Sequence, residues 1–297
     1  MKTYGRKKRQ EGFTLVELLV SLGIFLLVIG AAFTLLGSSQ SRYQTESQVL
    51  TSFQEARLGL DQIVRDVNDA GFPPPTFFNA NFPNLSANTP FAWGPGYAGN
   101  IPCVIGTGGG GTCATPDDFD LIIETNPNPQ DPSCAPSPCQ VQWIRYQLQT
   151  PPAVQVPTLM RGAVYRPPVG RGDPDAATSA AGVLAPFVQN VVNNSPNLQV
   201  GVDAAGNPIR LSTQYPAVFP GGAPVPIFQY TCDRPSLSQS LPLPTTDCLA
   251  AVGDNSPANI RDVAITLIVV APSPDAVTQR ARLVQLIGRG RRVNPNQ

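Results

Sequence analysis

Six cysteines are the most reactive side chains in the sequence: Cys103, Cys113, Cys134, Cys139, Cys232 and Cys248. An even number can pair completely into disulfides, and no Cys-x-x-Cys spacing is present to seat a metal. The chain has no histidine. That removes Ser-His-Asp and Cys-His nucleophile systems, histidine general bases and nearly every catalytic zinc site. Enzymes built on carboxylates alone survive the exclusion, but no carboxylate pair stands out by spacing. Four further signals have plain readings. The glycine run 108–111 has no Lys-Ser/Thr behind it, so it reads as a loop and not as a phosphate cradle. Asp117, Asp118 and Asp120 read as a turn and a strand cap, because the full calcium-loop pattern is missing. Arg171-Gly172-Asp173 lies among prolines and reads as a turn, and Arg289, Arg291 and Arg292 read as a solvated basic tail. No catalytic residue, metal site or cofactor is expected.

The remaining chemistry lies near the start of the chain. Residues 13–36 are apolar apart from one charge, Glu17. At about 1.5 Å per residue they form about 36 Å of helix, enough to cross a bilayer core about 30 Å thick. A secretory signal has a shorter apolar run and a small-residue cut site after it; neither feature fits here, so the segment reads as an uncleaved anchor. A carboxylate inside such a span is costly unless it finds a partner.

Charge is distributed unevenly around this segment. The chain has 297 residues, a mass of 31.5 kDa and 20 basic against 20 acidic residues. Its three lysines (Lys2, Lys7, Lys8) and Arg6 and Arg9 all precede Gly12, opposed by Glu11 alone. The rest of the chain is therefore lysine-free and mildly acidic. Basic residues before a span stay cytoplasmic, so the body is expected on the outer side of the membrane. Zero net charge argues against a broad nucleic-acid surface, and none is expected.

Gly12-Phe13-Thr14-Leu15-Val16-Glu17-Leu18 resembles the processing site of type IV prepilins. The resemblance implies that a prepilin peptidase cuts between Gly12 and Phe13 and methylates the new N-terminus at Phe13. Glu17 then becomes the fifth residue of the mature chain, about one helical turn from the new amine. In that family the carboxylate is thought to neutralise the amine of a neighbouring subunit and to set register during assembly. Two buried opposite charges are tolerable together and costly apart, which agrees with that role.

The elements that must position this site follow from periodicity. Val49, Phe53, Ala56, Leu60, Ile63 or Val64, and Val67 recur at spacings of three and four, one stripe of an amphipathic helix. Gly71 suits the position after a helix end, and Pro73-Pro74-Pro75 cannot continue it. One helix from near Phe13 to Ala70 is expected, apolar all round in its first half and one-sided in its second. Residues 55–72, with Leu60-Asp61, Arg65-Asp66 and Ala70-Gly71-Phe72, resemble the end of the spine helix in PilW-type minor pilins. The J-type pseudopilins of type II secretion carry a similar but looser stretch. Arg65 and Asp66 otherwise read as a solvated helix face.

The rest of the chain reads as a β-rich head. Residues 73–116, rich in Pro, Gly, Asn and Thr, read as long loops with aromatic anchors. Strands are expected at 119–125, 141–149, 158–164, 227–231, 260–270 and 282–287, and 184–192 reads as a short strand or helical turn. In the fifth of these, Val263, Ile265, Leu267 and Val269 fall on one face by period two. A helix followed by an antiparallel sheet packed on it is the α+β pattern. The expected organisation is a basic leader over 1–12, a transmembrane and polymerisation helix over 13–37, an amphipathic continuation over 38–71 and a globular head over 72–297. All six cysteines lie on the expected oxidising side. Local pairs, Cys103 with Cys113, Cys134 with Cys139 and Cys232 with Cys248, would each close a short loop poor in apolar residues.

The resemblance to PilW-type minor pilins implies a minor pilin that supports assembly within or at the tip of a type IV pilus. Its partners would be the prepilin peptidase, other major and minor pilin subunits through the N-terminal helix, and an inner-membrane assembly platform. It would begin as a single-pass inner-membrane protein with its head in the periplasm and end on the cell surface. The alternatives are a J-type pseudopilin, and a tip adhesin or DNA-uptake pilin whose head binds a ligand.

Overall fold

The computed structural model describes residues 14–72, 90–91, 116–126, 141–150, 156–165, 182–203, 205–232, 246–247, 260–275 and 280–292. The leader, Phe13, the glycine run 108–111, the tripeptide 171–173 and every cysteine except Cys232 lie outside them. Contacts divide the chain into two compact units, one ending at Ser47 and one beginning at Gln48. Helix α1, Leu15–Asn68, contributes to both.

In the first unit α1 presents apolar side chains in all directions; Leu27 and Leu35 are 75% and 70% exposed. Several of its hydroxyls bond back to its own carbonyls. Ser21 donates to the Leu18 carbonyl at 3.0 Å, Thr34 to Ala31 at 2.8 Å and Ser38 to Leu35 at 2.9 Å. This is the local satisfaction that a hydroxyl needs where water is absent. Among the described residues α1 is the one helix long and apolar enough to cross a membrane.

In the second unit the one-sided stripe is buried. Val49, Ala56, Gly59, Leu60, Ile63, Asp66 and Val67 face inward. The helix stops as the glycine signal predicts. Gly71 adopts φ +78°, and its amide donates to the Glu124 carbonyl at 2.8 Å. The Asn126 amide then donates to the Phe72 carbonyl at 2.7 Å, so the helix exit is stitched to the end of the first strand.

Two antiparallel sheets complete the head and make it α+β. The first has the order β1-β2-β3-β4, from Asp120–Thr125, Gln142–Gln149, Thr158–Tyr165 and Ala185–Val188. The second has the order β10-β9-β7-β8, from Leu283–Arg291, Ile260–Val270, Phe228–Cys232 and Thr246–Asp247. The helix stripe joins residues of both sheets in one core, among them Ile123, Ile144, Tyr146, Leu159, Val263 and Ile265. Val263, Ile265, Leu267 and Val269 all enter that core, as their period-two spacing requires.

Two parts of the head depart from the sequence expectations. β10 extends to Arg291, beyond the expected end at 287, so the three arginines are not a solvated tail. Arg289 donates to buried Asp262 at 2.9 Å, Arg291 lies 3.9 Å from the same carboxylate, and Arg292 is buried. A pair of glycines in this segment hid the strand, because glycine is depleted in strands. The second departure is a hairpin of β5 (Gln199–Val202) and β6 (Pro208–Arg210), followed by a single turn α2 (Leu211–Gln214). It is mounted on the other face of β9, where Ile268 and Val270 form a second core with Val192, Leu211, Phe219 and Ala281. Fully buried Asn193 fixes the mounting. Its side chain donates to the Thr266 and Val225 carbonyls at 2.8 and 3.1 Å and accepts from the Ile268 amide at 2.8 Å.

Close approach of helix and strands depends on glycine. A Cβ on Gly290 would lie 2.5 Å from Val67 Cγ1 and 3.3 Å from the Val64 carbonyl oxygen, and one on Gly288 would lie 2.9 Å from Leu60 Cδ1. On the helix side, a Cβ on Gly59 would overlap Val188 Cγ2. Gly290→Ala and Gly59→Ala are each expected to destabilise the head by about 1–3 kcal/mol through overpacking. At about 2–4 °C per kcal/mol for a domain of this size, calorimetry should read a Tm lowered by several degrees. Gly37→Ala, with open space around it, should leave the melting of the head unchanged.

Candidate processing and assembly site

The site begins where α1 begins. Thr14 precedes the first helical residue and Glu17 is the third. The Thr14 amide and hydroxyl both donate to Glu17 Oε2, at 3.0 and 2.9 Å, and the Glu17 amide donates back to Thr14 Oγ1 at 3.3 Å. This Thr-x-x-Glu reciprocal pair satisfies donors that a helix start leaves orphaned. It also holds the carboxylate folded over the first turn. Both Thr14 bonds fall on Oε2, and Oε1 has no partner among the described residues. Gly12 and Phe13, the two sides of the expected cut, lie outside the described residues.

The second half of α1 carries a charge cluster that periodicity alone did not reveal. Asp66 is buried, contrary to its reading as a solvated residue, while neighbouring Arg65 is exposed. Asp66 Oδ2 accepts from the Tyr146 hydroxyl at 2.5 Å and from Arg161 at 2.9 Å, and Oδ1 accepts from Gln62 at 2.7 Å. Arg161 also donates through its Nε to the Tyr146 hydroxyl at 2.9 Å. Its guanidinium lies 5.6 Å from the Tyr146 ring centre and 5.9 Å from that of Phe187. Helix α1, β2, β3 and β4 thus meet at one carboxylate. The signal in the sequence was the position of Asp66, three residues after Ile63 on the buried stripe. Its partners are 80 and 95 residues away and carry no local signature.

The acidic turn before β1 is structural. Asp117 accepts from the Phe119 amide at 2.7 Å, and Asp120 is bound by Arg145 and by Gln147. Burial pushes the Asp117 carboxyl above the usual carboxylate range. Among the described residues no group of side chains could hold a metal ion. Cys232 ends β7, where it pairs in register with Thr246 of β8.

Two predictions follow from this geometry. Asp66→Ala leaves the Tyr146 hydroxyl and the Arg161 guanidinium without their acceptor. The expected cost is about 2–4 kcal/mol, below the full figure for a buried pair because Arg161 keeps contact with water. Chemical denaturation of the head measures it, and Arg161→Met in the same chain should recover part of the loss by removing the stranded charge. The second prediction concerns pH. Burial, chiefly, raises the phenols of Tyr146 and Tyr230 above their ordinary value. A phenol that holds its proton more tightly in the folded state contributes stability below about pH 10, the unfolded value, and loses it as pH rises beyond. Absorbance titration of the folded head should therefore show these two tyrosines ionising only as the head unfolds.

Comparison with known proteins bears on the first of these sites. A family model, the prokaryotic N-terminal methylation motif, matches residues 7–33. No curated protein and no solved structure matches the chain. The matched span contains Gly12, Phe13 and Glu17 and runs into the apolar half of α1. With a long N-terminal helix and a head of antiparallel sheets, the chain is similar to type IV pilin-like prepilins in its N-terminal motif and its architecture.

Proposed function

We propose that this chain is a PilW-like minor pilin, a structural subunit cut after Gly12, methylated at Phe13 and assembled into or at the tip of a type IV pilus. The observation that carries the reading is the coincidence of the methylation motif with a helix that continues into the core of a head. An anchor alone would not need its continuation buried between two sheets. Glu17 would receive the amine of a neighbouring subunit. The partners are the prepilin peptidase, other pilin subunits and an inner-membrane assembly platform, with the head periplasmic before assembly. We infer a disulfide between Cys232 and Cys248 from the sequence, where the two flank a short loop poor in apolar residues. We infer pairing of Cys103 with Cys113 and of Cys134 with Cys139 from the sequence alone.

The lysine-free body offers a direct test. After cleavage at Gly12 the chain keeps one amine, at Phe13, because all three lysines leave with the leader. Reductive methylation with heavy formaldehyde adds two methyl groups to a primary amine and one to an amine already methylated. The intact mass of the chain from sheared filaments should therefore show a start at Phe13 and a single added heavy methyl. A chain that begins at Met1 and takes label on its lysines would refute the processing. In parallel, Glu17→Val should be cut, inserted and folded like the native chain, but depleted from sheared filaments relative to the membrane fraction. Equal depletion in both fractions would assign Glu17 to insertion instead. Recovery of the native chain only in the envelope, never in surface filaments, would favour the type II secretion alternative.

A further inference from the structure

The four edges of the two sheets are treated differently. At β1, Phe91 bridges Ile123 and the Glu124 amide donates to the Pro90 carbonyl at 3.1 Å, so that edge is covered. β4 is four residues long, contains Pro186 and meets β3 in a shifted register. β8 is two residues long. Shortness, proline, irregular register and cover are the ordinary devices that stop an edge from pairing with another chain. β10 uses none of these four, and its charged residues, Arg289 and Arg291, lie toward one end of it. It has nine residues, no proline and an unbroken register with β9.

The backbone of β10 can be oriented from its ends. The Arg292 amide donates to the Arg261 carbonyl at 3.1 Å, and the Ala271 amide donates to the Arg282 carbonyl at 2.8 Å. In an antiparallel ladder such residues alternate with ones that face away, so the even-numbered residues turn toward β9 and the odd-numbered ones turn out. The Arg291 amide confirms this by donating to Asn68 Oδ1, at 2.8 Å, on the outer side. Beyond that one capped position, the amides of Gln285, Ile287 and Arg289 meet no acceptor among the described residues. Ile287 is 71% exposed, the most exposed large apolar residue on any described strand. Among the described residues Arg289 and Arg291 share a single carboxylate, Asp262, which leaves an excess of positive charge beside the edge.

We propose that the outer edge of β10 receives an extended strand from a different pilin-type subunit, with an apolar side chain opposite Ile287 and a carboxylate beside Arg289 and Arg291. The proposal rests on the filament reading above. Backbone donors and acceptors in a row are satisfied by another strand, the mode called strand addition. Charge complementarity excludes a second copy of this edge. β10 contains two arginines and no carboxylate, so a second copy of it would offer those arginines no partner. The capping of Arg291 by Asn68 sets one end of the added strand, which would run along residues 285–289.

Photocrosslinking in the intact cell tests this directly. A benzophenone amino acid replaces Gln285 in the full-length chain, with and without Ile287→Pro. Proline at 287 removes an amide that the fold does not use, so the melting of the head should be unchanged. Irradiation should give an adduct with another pilin-type subunit, mapped by mass spectrometry to a segment containing a carboxylate. Ile287→Pro should reduce that adduct roughly tenfold, about the effect of losing one main-chain hydrogen bond. Should Ile287→Pro disturb folding, Ile287→Lys keeps the backbone and adds charge to the edge, and should reduce the adduct as well. No adduct, an adduct between two copies of this chain, or an adduct indifferent to both substitutions would overturn the proposal. An adduct formed in the envelope by a chain that never reaches filaments would uphold the edge and refute the filament reading.

Discussion

A carboxylate buried on the helix organises the head. Asp66 cannot lie in a core unless its charge is answered there, and the answer comes from two strands of the first sheet. Tyr146 supplies a hydroxyl from β2 and Arg161 a guanidinium from β3, while Phe187 of β4 covers the guanidinium. Fixing that meeting point fixes the height and rotation of the second half of α1 against β2, β3 and β4. The opposite contact, with β10, is set by absence of bulk: Gly288 and Gly290 admit Leu60, Val64 and Val67. A polar clasp on one side and a flat seat on the other give the helix one docked position. Apolar burial supplies most of the stability, and the clasp selects among the ways of achieving it.

Once the helix is seated, β9 carries the rest. One face of it completes the core under the helix, and the other face, through Ile268 and Val270, bears the β5–β6 hairpin. Asn193 ties that hairpin to the edge of β9 by using all three of its hydrogen bonds on backbone groups. The first half of α1 answers to a different solvent. Its side chains are apolar on every side and its hydroxyls bond to its own carbonyls. One helix therefore joins a segment suited to lipid or to other such helices with a segment that exists only as part of the head.

The helix was legible in the sequence because its signals were local. The stripe from Val49 to Val67, Gly71 and the prolines behind it gave its face and its end to within a few residues. β9 was read at its full length because Val263, Ile265, Leu267 and Val269 alternate cleanly. β10 was read short because Gly288 and Gly290 weaken the strand signal, and those glycines are there for the helix, an element more than 200 residues earlier. The β5–β6 hairpin was missed because Gly201, Pro208 and the exposed Val202 break its alternation. Asp66 shows the same limit. Its place on the buried stripe was visible, but the residues that make its burial tolerable come from distant strands. The methylation motif is the opposite case: Gly12, Phe13 and Glu17 lie within six residues of one another, so the motif is a local signal.

The central physical claim is that the second half of α1 belongs to the cooperative core of the head while the first half does not. Amide hydrogen exchange on the full chain in detergent micelles measures this. Amides of residues 56–67 should exchange as slowly as those of β9, 260–270, at the rate set by global unfolding of the head. Fast exchange over 56–67 while β9 stays protected would show a helix merely resting against a head that folds without it, and would contradict the claim.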